Sequence, residues 1–159
     1  MTMSKLKLNY PDCNVLLMQG LPGSGKSSYA RNTKQNYPEA VIVSADDEHI
    51  NSEGKYEFKA SNIKHAHDAC LLKYIKALQD SSPLVIVDNT NTSYDELLPY
   101  VRIAQAYQYF VTLTYLPCSV EDSYKRNVHG VPIESIKKMD ERLKKFHLNL
   151  PSNWIVITP

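Results

Sequence analysis

Residues Gly20–Ser27 read Gly-Leu-Pro-Gly-Ser-Gly-Lys-Ser, a complete G-x-x-x-x-G-K-[ST] phosphate-binding loop. That motif carries weight only between a strand and a helix, and the flanks supply both. Val15-Leu16-Leu17-Met18 suits a buried strand, and Ser28-Tyr29-Ala30-Arg31 continues a helix. The glycines let the backbone turn its N–H groups inward, and the helix N-terminus adds a fixed positive end. Lys26 is expected to reach the β- and γ-phosphates, and the Ser27 hydroxyl to be a ligand for Mg²⁺. Gly20, Gly23, Ser24, Gly25, Lys26, Ser27 and Ser28 are thus the expected contacts for a nucleoside triphosphate, ATP with Mg²⁺.

Outward from the loop, apolar β-branched runs alternate with helical stretches, the pattern of β-α-β units around a parallel sheet. The expected strands are Val15–Gln19, Val41–Ser44, Leu84–Val87, Val111–Tyr115 and Trp154–Ile157. The expected helices are Lys26–Asn36, Ser61–Gln79, Ser93–Tyr107, Ser119–Arg126 and Ile133–Phe146. Ser93 and Ser119 stand where N-caps belong, each followed by acidic residues in the first turn. The pattern reads as an α/β fold with about five parallel strands and helices on both faces, one domain over residues 1–159.

In such a sheet, ligands bind beyond the carboxyl ends of the strands. The second strand run leads into Ser44-Ala45-Asp46-Asp47, and the third into Asp88-Asn89-Thr90-Asn91. Phosphoryl transfer needs positioning, charge neutralisation and a group that takes the acceptor's proton. Asp46 is the candidate for that group. Asp47, next to it on an extended backbone, points elsewhere and reads as support or helix cap. Asp88 can hold a Mg²⁺-bound water or orient the acceptor, and the residues leave both open. Arg126-Asn127-Val128-His129-Gly130-Val131-Pro132 lies between two helices as a loop able to close over nucleotide. Arg126 there can stabilise charge on the transferring phosphoryl group, or can be a surface arginine at a helix end.

These four motifs, in this order, resemble the kinase domain of 5′-hydroxyl polynucleotide kinases from Val15 to about Phe146. Related P-loop ATPases share the Asp88–Asn91 and Arg126–Pro132 motifs. The resemblance implies a three-layer P-loop kinase fold with a helical lid and transfer of the γ-phosphate of ATP to a nucleic-acid 5′ end. It implies Asp46 as general base, Lys26 and Ser27 on phosphates and Mg²⁺, Arg126 as lid arginine, and Asp88 near the acceptor with Asn91 alongside. Two places differ. The phage-type kinase has an arginine three residues after the base, where this chain has His49, and a second lid arginine where it has His129. The chain has no D-x-D-[GT] motif, so a 3′-phosphatase half is not expected.

Composition narrows the partners. The 159 residues carry a net charge of +1, with 43% hydrophobic content and no apolar run long enough to span a bilayer, so a cytoplasmic protein is expected. Cys13, Cys70 and Cys118 share no metal-ligand spacing and read as reduced thiols. From Lys125 to His147 seven Lys/Arg stand against three Asp/Glu, a set that could grip acceptor phosphates in place of the missing guanidiniums. Tyr56 and Phe58 either stack on an acceptor base or seal the helix that follows. Three readings remain: a 5′-end nucleic-acid kinase, a kinase of a small hydroxylated metabolite, and an ATP-binding interaction module.

Overall fold

The computed structural model describes residues 13–159. Five strands, β1 (Asn14–Gln19), β2 (Val41–Val43), β3 (Leu84–Val87), β4 (Phe110–Tyr115) and β5 (Ile155–Ile157), form a sheet in the order β2-β3-β1-β4-β5. Every neighbouring pair is parallel. Helices α1 (Lys26–Asn36), α2 (Ile63–Gln79) and α3 (Tyr94–Ala106) carry the first three crossovers. Helices α4 (Val120–Arg126) and α5 (Ile133–Leu148) carry the last.

The central strand shows why the chain folds this way. In β1, Val15, Leu17 and Met18 are fully buried, as a strand covered on both faces demands. Val15 pairs with Val85 and Val111, and Leu17 with Val87 and Leu113. These side chains share one face with Cys70, Tyr74 and Leu78 of α2 and with Leu97, Val101 and Ala104 of α3. The alternate residues Leu16, Met18, Leu84 and Ile86 pack on the other face with Ala30 of α1. Two apolar faces from a period-two pattern give the three layers. A third cluster joins Leu21 of the phosphate loop to Ile136 and Leu143 of α5, so α5 buttresses the loop.

The expected caps form: Ser93 accepts the Glu96 N–H and Ser119 the Asp122 N–H. The second strand is shorter than expected. It stops at Val43 because the Ser44 hydroxyl accepts the Asp46 N–H at 3.2 Å and starts a 3₁₀ turn over Ala45–His49, the local competition with strand structure that serine offers. Asp46 and Asp47 therefore lie on a tight helical turn and not on extended backbone, and Ser44 is the cap expected of Asp47. Likewise α2 is preceded by a 3₁₀ turn at Ala60–Asn62, α5 runs on to Leu148, and β5 begins at Ile155.

Candidate active site

Strand β1 delivers the chain to Gly20 at the carboxyl edge of the sheet, where the Gly20 N–H meets the Thr90 carbonyl at 3.1 Å. The loop is tight on both flanks. A Cβ on Gly20 would stand 2.7 Å from the Leu116 carbonyl oxygen, and one on Gly23 2.8 Å from the Asn127 nitrogen. Gly23 also has φ +71°, which L side chains rarely adopt. Lys26, the first residue of α1, is buried and donates from Nζ to the Leu21 carbonyl at 2.8 Å, closing the loop around itself. Burial lowers its ammonium to about 8, against the pull of Asp88 and then Asp46, which favour the charged form.

Both acidic residues thus act on the same cation. Asp88 follows β3, is buried, and donates its backbone N–H to the Val43 carbonyl at 2.9 Å. Asp46 is more exposed. Its Oδ2 lies 3.6 Å from His129 Nε2, and the Tyr56 hydroxyl hydrogen-bonds to it. Burial first, then the Asp46 charge and this bond, push the Tyr56 phenol up to about 12. Asp47 interacts instead with Lys73 of α2, and burial raises its carboxyl.

The Asp88–Asn91 segment divides its labour. The Asn89 side-chain oxygen accepts the Ala45 N–H at 2.9 Å, tying the 3₁₀ turn to β3. Asn91, expected on the acceptor side, is 3% exposed, and its amide donates to the Met18 carbonyl at 2.7 Å. Its own carbonyl accepts from Gln19 Nε2 at 2.8 Å. With φ +47° and these two bonds it staples β1 to the turn after β3. His49, an acceptor-side candidate because the phage-type kinase has an arginine at its place, is also buried, with its ring 5.8 Å from Tyr56 and 5.1 Å from Phe58.

The lid lies across the loop. The Ser123 hydroxyl donates to the Pro22 carbonyl at 2.6 Å. The Asn127 side chain accepts the Val131 N–H at 2.8 Å and donates to the Tyr124 carbonyl, bracing the turn that carries His129. Arg126 has its backbone against Gly23, and its side chain lines a cavity of about 650 Å³ with Pro117, Cys118, Ser119, Asp122 and Lys144. Cys118 in its wall feels the charges of Arg126 and, more weakly, of Lys26. Ser27 and Ser28 are exposed in the first turn of α1.

Sequence reasoning missed Ser123, Asn89 and the Arg142–Thr92 hydrogen bond at 2.9 Å that ties α5 to the start of α3. None carries a local signature. The basic stretch is also less open than its composition implies: Lys137 pairs with Glu134 and Lys144 with Asp140.

A phosphate loop, two carboxylates acting on its lysine and a lid at the carboxyl edge of a parallel sheet define a P-loop NTPase/kinase fold. The match to known proteins agrees. A family model described as an AAA domain covers residues 15–144, and the chain belongs to that P-loop family. It is 33% identical over 144 residues to human NEDD4-binding protein 2, covering 88% of this chain and 8% of that protein. The chain thus spans under a tenth of that relative's length. Among solved structures, one of a Pnkp1/Rnl/Hen1 RNA repair complex superposes with a TM-score of 0.73 at 22% identity, over 91% of this chain and 49% of that one. A gluconokinase from Sinorhizobium meliloti 1021 superposes at 0.60 with 14% identity, over 92% of this chain and 83% of that one. At those identities the structures speak for the fold. Among the described residues no helix is long and apolar enough to cross a membrane.

Proposed function

We propose that the chain transfers the γ-phosphate of ATP to the 5′-hydroxyl of a DNA or RNA strand. The observation that carries this reading is the position of Asp46, which acts on Lys26 from one side and contacts His129 of the lid on the other. An acceptor hydroxyl placed between Asp46 and the γ-phosphate donates its hydrogen to the carboxylate. Its oxygen bonds to the γ-phosphorus as the bond to the ADP oxygen breaks. Lys26 and Arg126 balance the charge on the phosphoryl oxygens.

The loop fits Mg²⁺ by its donor chemistry, with the Ser27 hydroxyl and, through water, Asp88 supplying oxygens. The ion would neutralise charge on the β- and γ-phosphates when bound. Among the described residues no group of three His, Cys, Asp or Glu forms a metal cage, so its other ligands would be phosphate and water. The four-motif resemblance to 5′-hydroxyl polynucleotide kinases supports a nucleic-acid acceptor over other hydroxyls.

A second reading, a kinase of a small hydroxylated metabolite, is favoured by one observation. Asp46 and Asp88 bring two carboxylates to the edge beside Lys26, with the guanidiniums of the phage-type kinase replaced by imidazoles. Transfer from γ-labelled ATP to a panel of 5′-hydroxyl oligonucleotides, nucleosides and sugars separates the two. Label on the oligonucleotides alone is the expected result; label on a sugar alone overturns the proposal.

A further inference from the structure

Four rings run in an unbroken strip away from Asp46. His129 lies 3.6 Å from the carboxylate, its ring stands 4.0 Å from Tyr56 at 38°, Tyr56 is 5.8 Å from His49, and His49 is 5.1 Å from Phe58. The strip is held by backbone. Ile50 and Tyr56 form an antiparallel bridge, and the Asn51 side chain accepts the N–H groups of Glu53 and Lys55 to close the turn between them. Its far end is open, since Phe58 is 53% exposed and Ile50 beside His49 is 51% exposed.

Charge along the strip is balanced. Lys55 stands 3.7 Å from Glu53, Lys59 3.6 Å from Glu57, and Lys73 pairs with Glu48. At the near end, the Asp46 carboxylate adds a negative charge beside His129. A row of rings whose flanking lysines are each paired suits bases and not phosphates: stacking tolerates any base, whereas phosphate grip needs unpaired Lys or Arg.

Resting on the kinase reading above, we infer that the acceptor is a single strand whose 5′-terminal bases stack along His129, Tyr56 and Phe58. It is held by base stacking in place of guanidinium–phosphate contacts. The 5′-hydroxyl lies at Asp46, and the second base reaches Phe58. Because His129 belongs to the lid and Tyr56 to the turn after β2, the platform is whole only when the lid lies across the phosphate loop. Stacking therefore couples acceptor choice to lid position.

The test uses a 5′-hydroxyl tetranucleotide carrying a 3′ fluorophore, with binding read by anisotropy and transfer read with ATP. Phe58→Ala removes an exposed ring, so the fold is not at risk. It should weaken tetranucleotide binding about ten- to a hundredfold with ATP affinity unchanged, and Phe58→Trp should restore it. A tetranucleotide abasic at its first two positions should bind wild type and Phe58→Ala equally weakly. The log–log salt slope for wild type should be shallower than the roughly −0.7 expected for one neutralised phosphate. If wild type phosphorylates the oligonucleotide while Phe58→Ala binds it as wild type does, the strip is not the platform and the kinase reading stands. A steep salt slope indifferent to base removal has the same meaning. If wild type phosphorylates a sugar and no oligonucleotide, both fall.

Discussion

Ser123 and Pro22, a hundred and one residues apart, are joined by a 2.6 Å hydrogen bond from the Ser123 hydroxyl to the Pro22 carbonyl. The lid helix α4 is therefore bonded directly to the phosphate loop. With Asn127 packed where a Gly23 side chain would go, the lid is registered on the backbone of the loop. Ser123→Ala leaves a buried carbonyl without its donor and should cost about 1–3 kcal/mol of stability. It should also raise the KM for ATP several-fold, because the lid is no longer registered on the loop. Thermal melting and ATP titration check this, and unchanged values in both would show that the lid is held by packing alone.

Lys26→Ala should abolish phosphotransfer, since it removes the side-chain cation enclosed by the loop. The native lysine also predicts a pH effect. Its ammonium is lowered to about 8 from 10.5 by burial, so between those values the unfolded chain keeps a proton the folded chain has lost. Unfolding free energy from this group therefore rises with pH across that window and is flat below it. Nucleotide binding runs the other way, because phosphates demand the charged form. Calorimetry in buffers of different ionisation enthalpy should show little proton uptake on ATP binding near pH 7 and uptake approaching one proton near pH 9. No uptake at pH 9 would mean that Lys26 remains charged in the free protein.

Asp46→Asn keeps the shape of the side chain and the Ser44 cap of its turn, which uses the backbone N–H of residue 46. ATP affinity should stay within a few-fold, while turnover falls by about 10²–10⁴, the usual worth of general-base assistance. A large loss of ATP binding with turnover preserved would make Asp46 a metal or structural residue. Stopped turnover and binding must be measured separately for this to be read.

What the sequence made legible was local. Gly20–Ser27 declares its geometry because each glycine and the Lys-Ser pair are needed within eight residues, and Ser93 and Ser119 cap helices through atoms three residues away. The parallel sheet follows from apolar runs that a two-sided strand requires. What stayed hidden depends on meetings that no spacing encodes. His129 finds Tyr56 and Asp46 only because the Asn127 bracket aims its turn across the sheet edge. The 3₁₀ turn after β2 was hidden because a serine hydroxyl and a strand compete for the same N–H, and the sequence does not reveal the winner. The Asp88–Asn91 segment misleads in a particular way: its asparagines suit ligand binding, yet buried carbonyls at the end of β1 need donors just as strongly.

Asn91 turns that last distinction into a measurement. Its amide satisfies the Met18 carbonyl, its carbonyl is met by Gln19, and its φ of +47° is one that asparagine tolerates better than alanine. Asn91→Ala loses the buried bond and strains the backbone, for a cost of about 2–4 kcal/mol. At roughly 2–4 °C per kcal/mol for a domain of this size, melting should fall by about 5–15 °C. Asn91→Gly relieves the strain but not the missing donor, so it should melt between alanine and wild type. Because the side chain points into the scaffold, acceptor affinity measured well below the melting temperature should barely change in either variant. A normal melting temperature with weakened acceptor binding would return Asn91 to the acceptor side, and the order alanine, glycine, wild type in melting would fix it as the staple of the sheet edge.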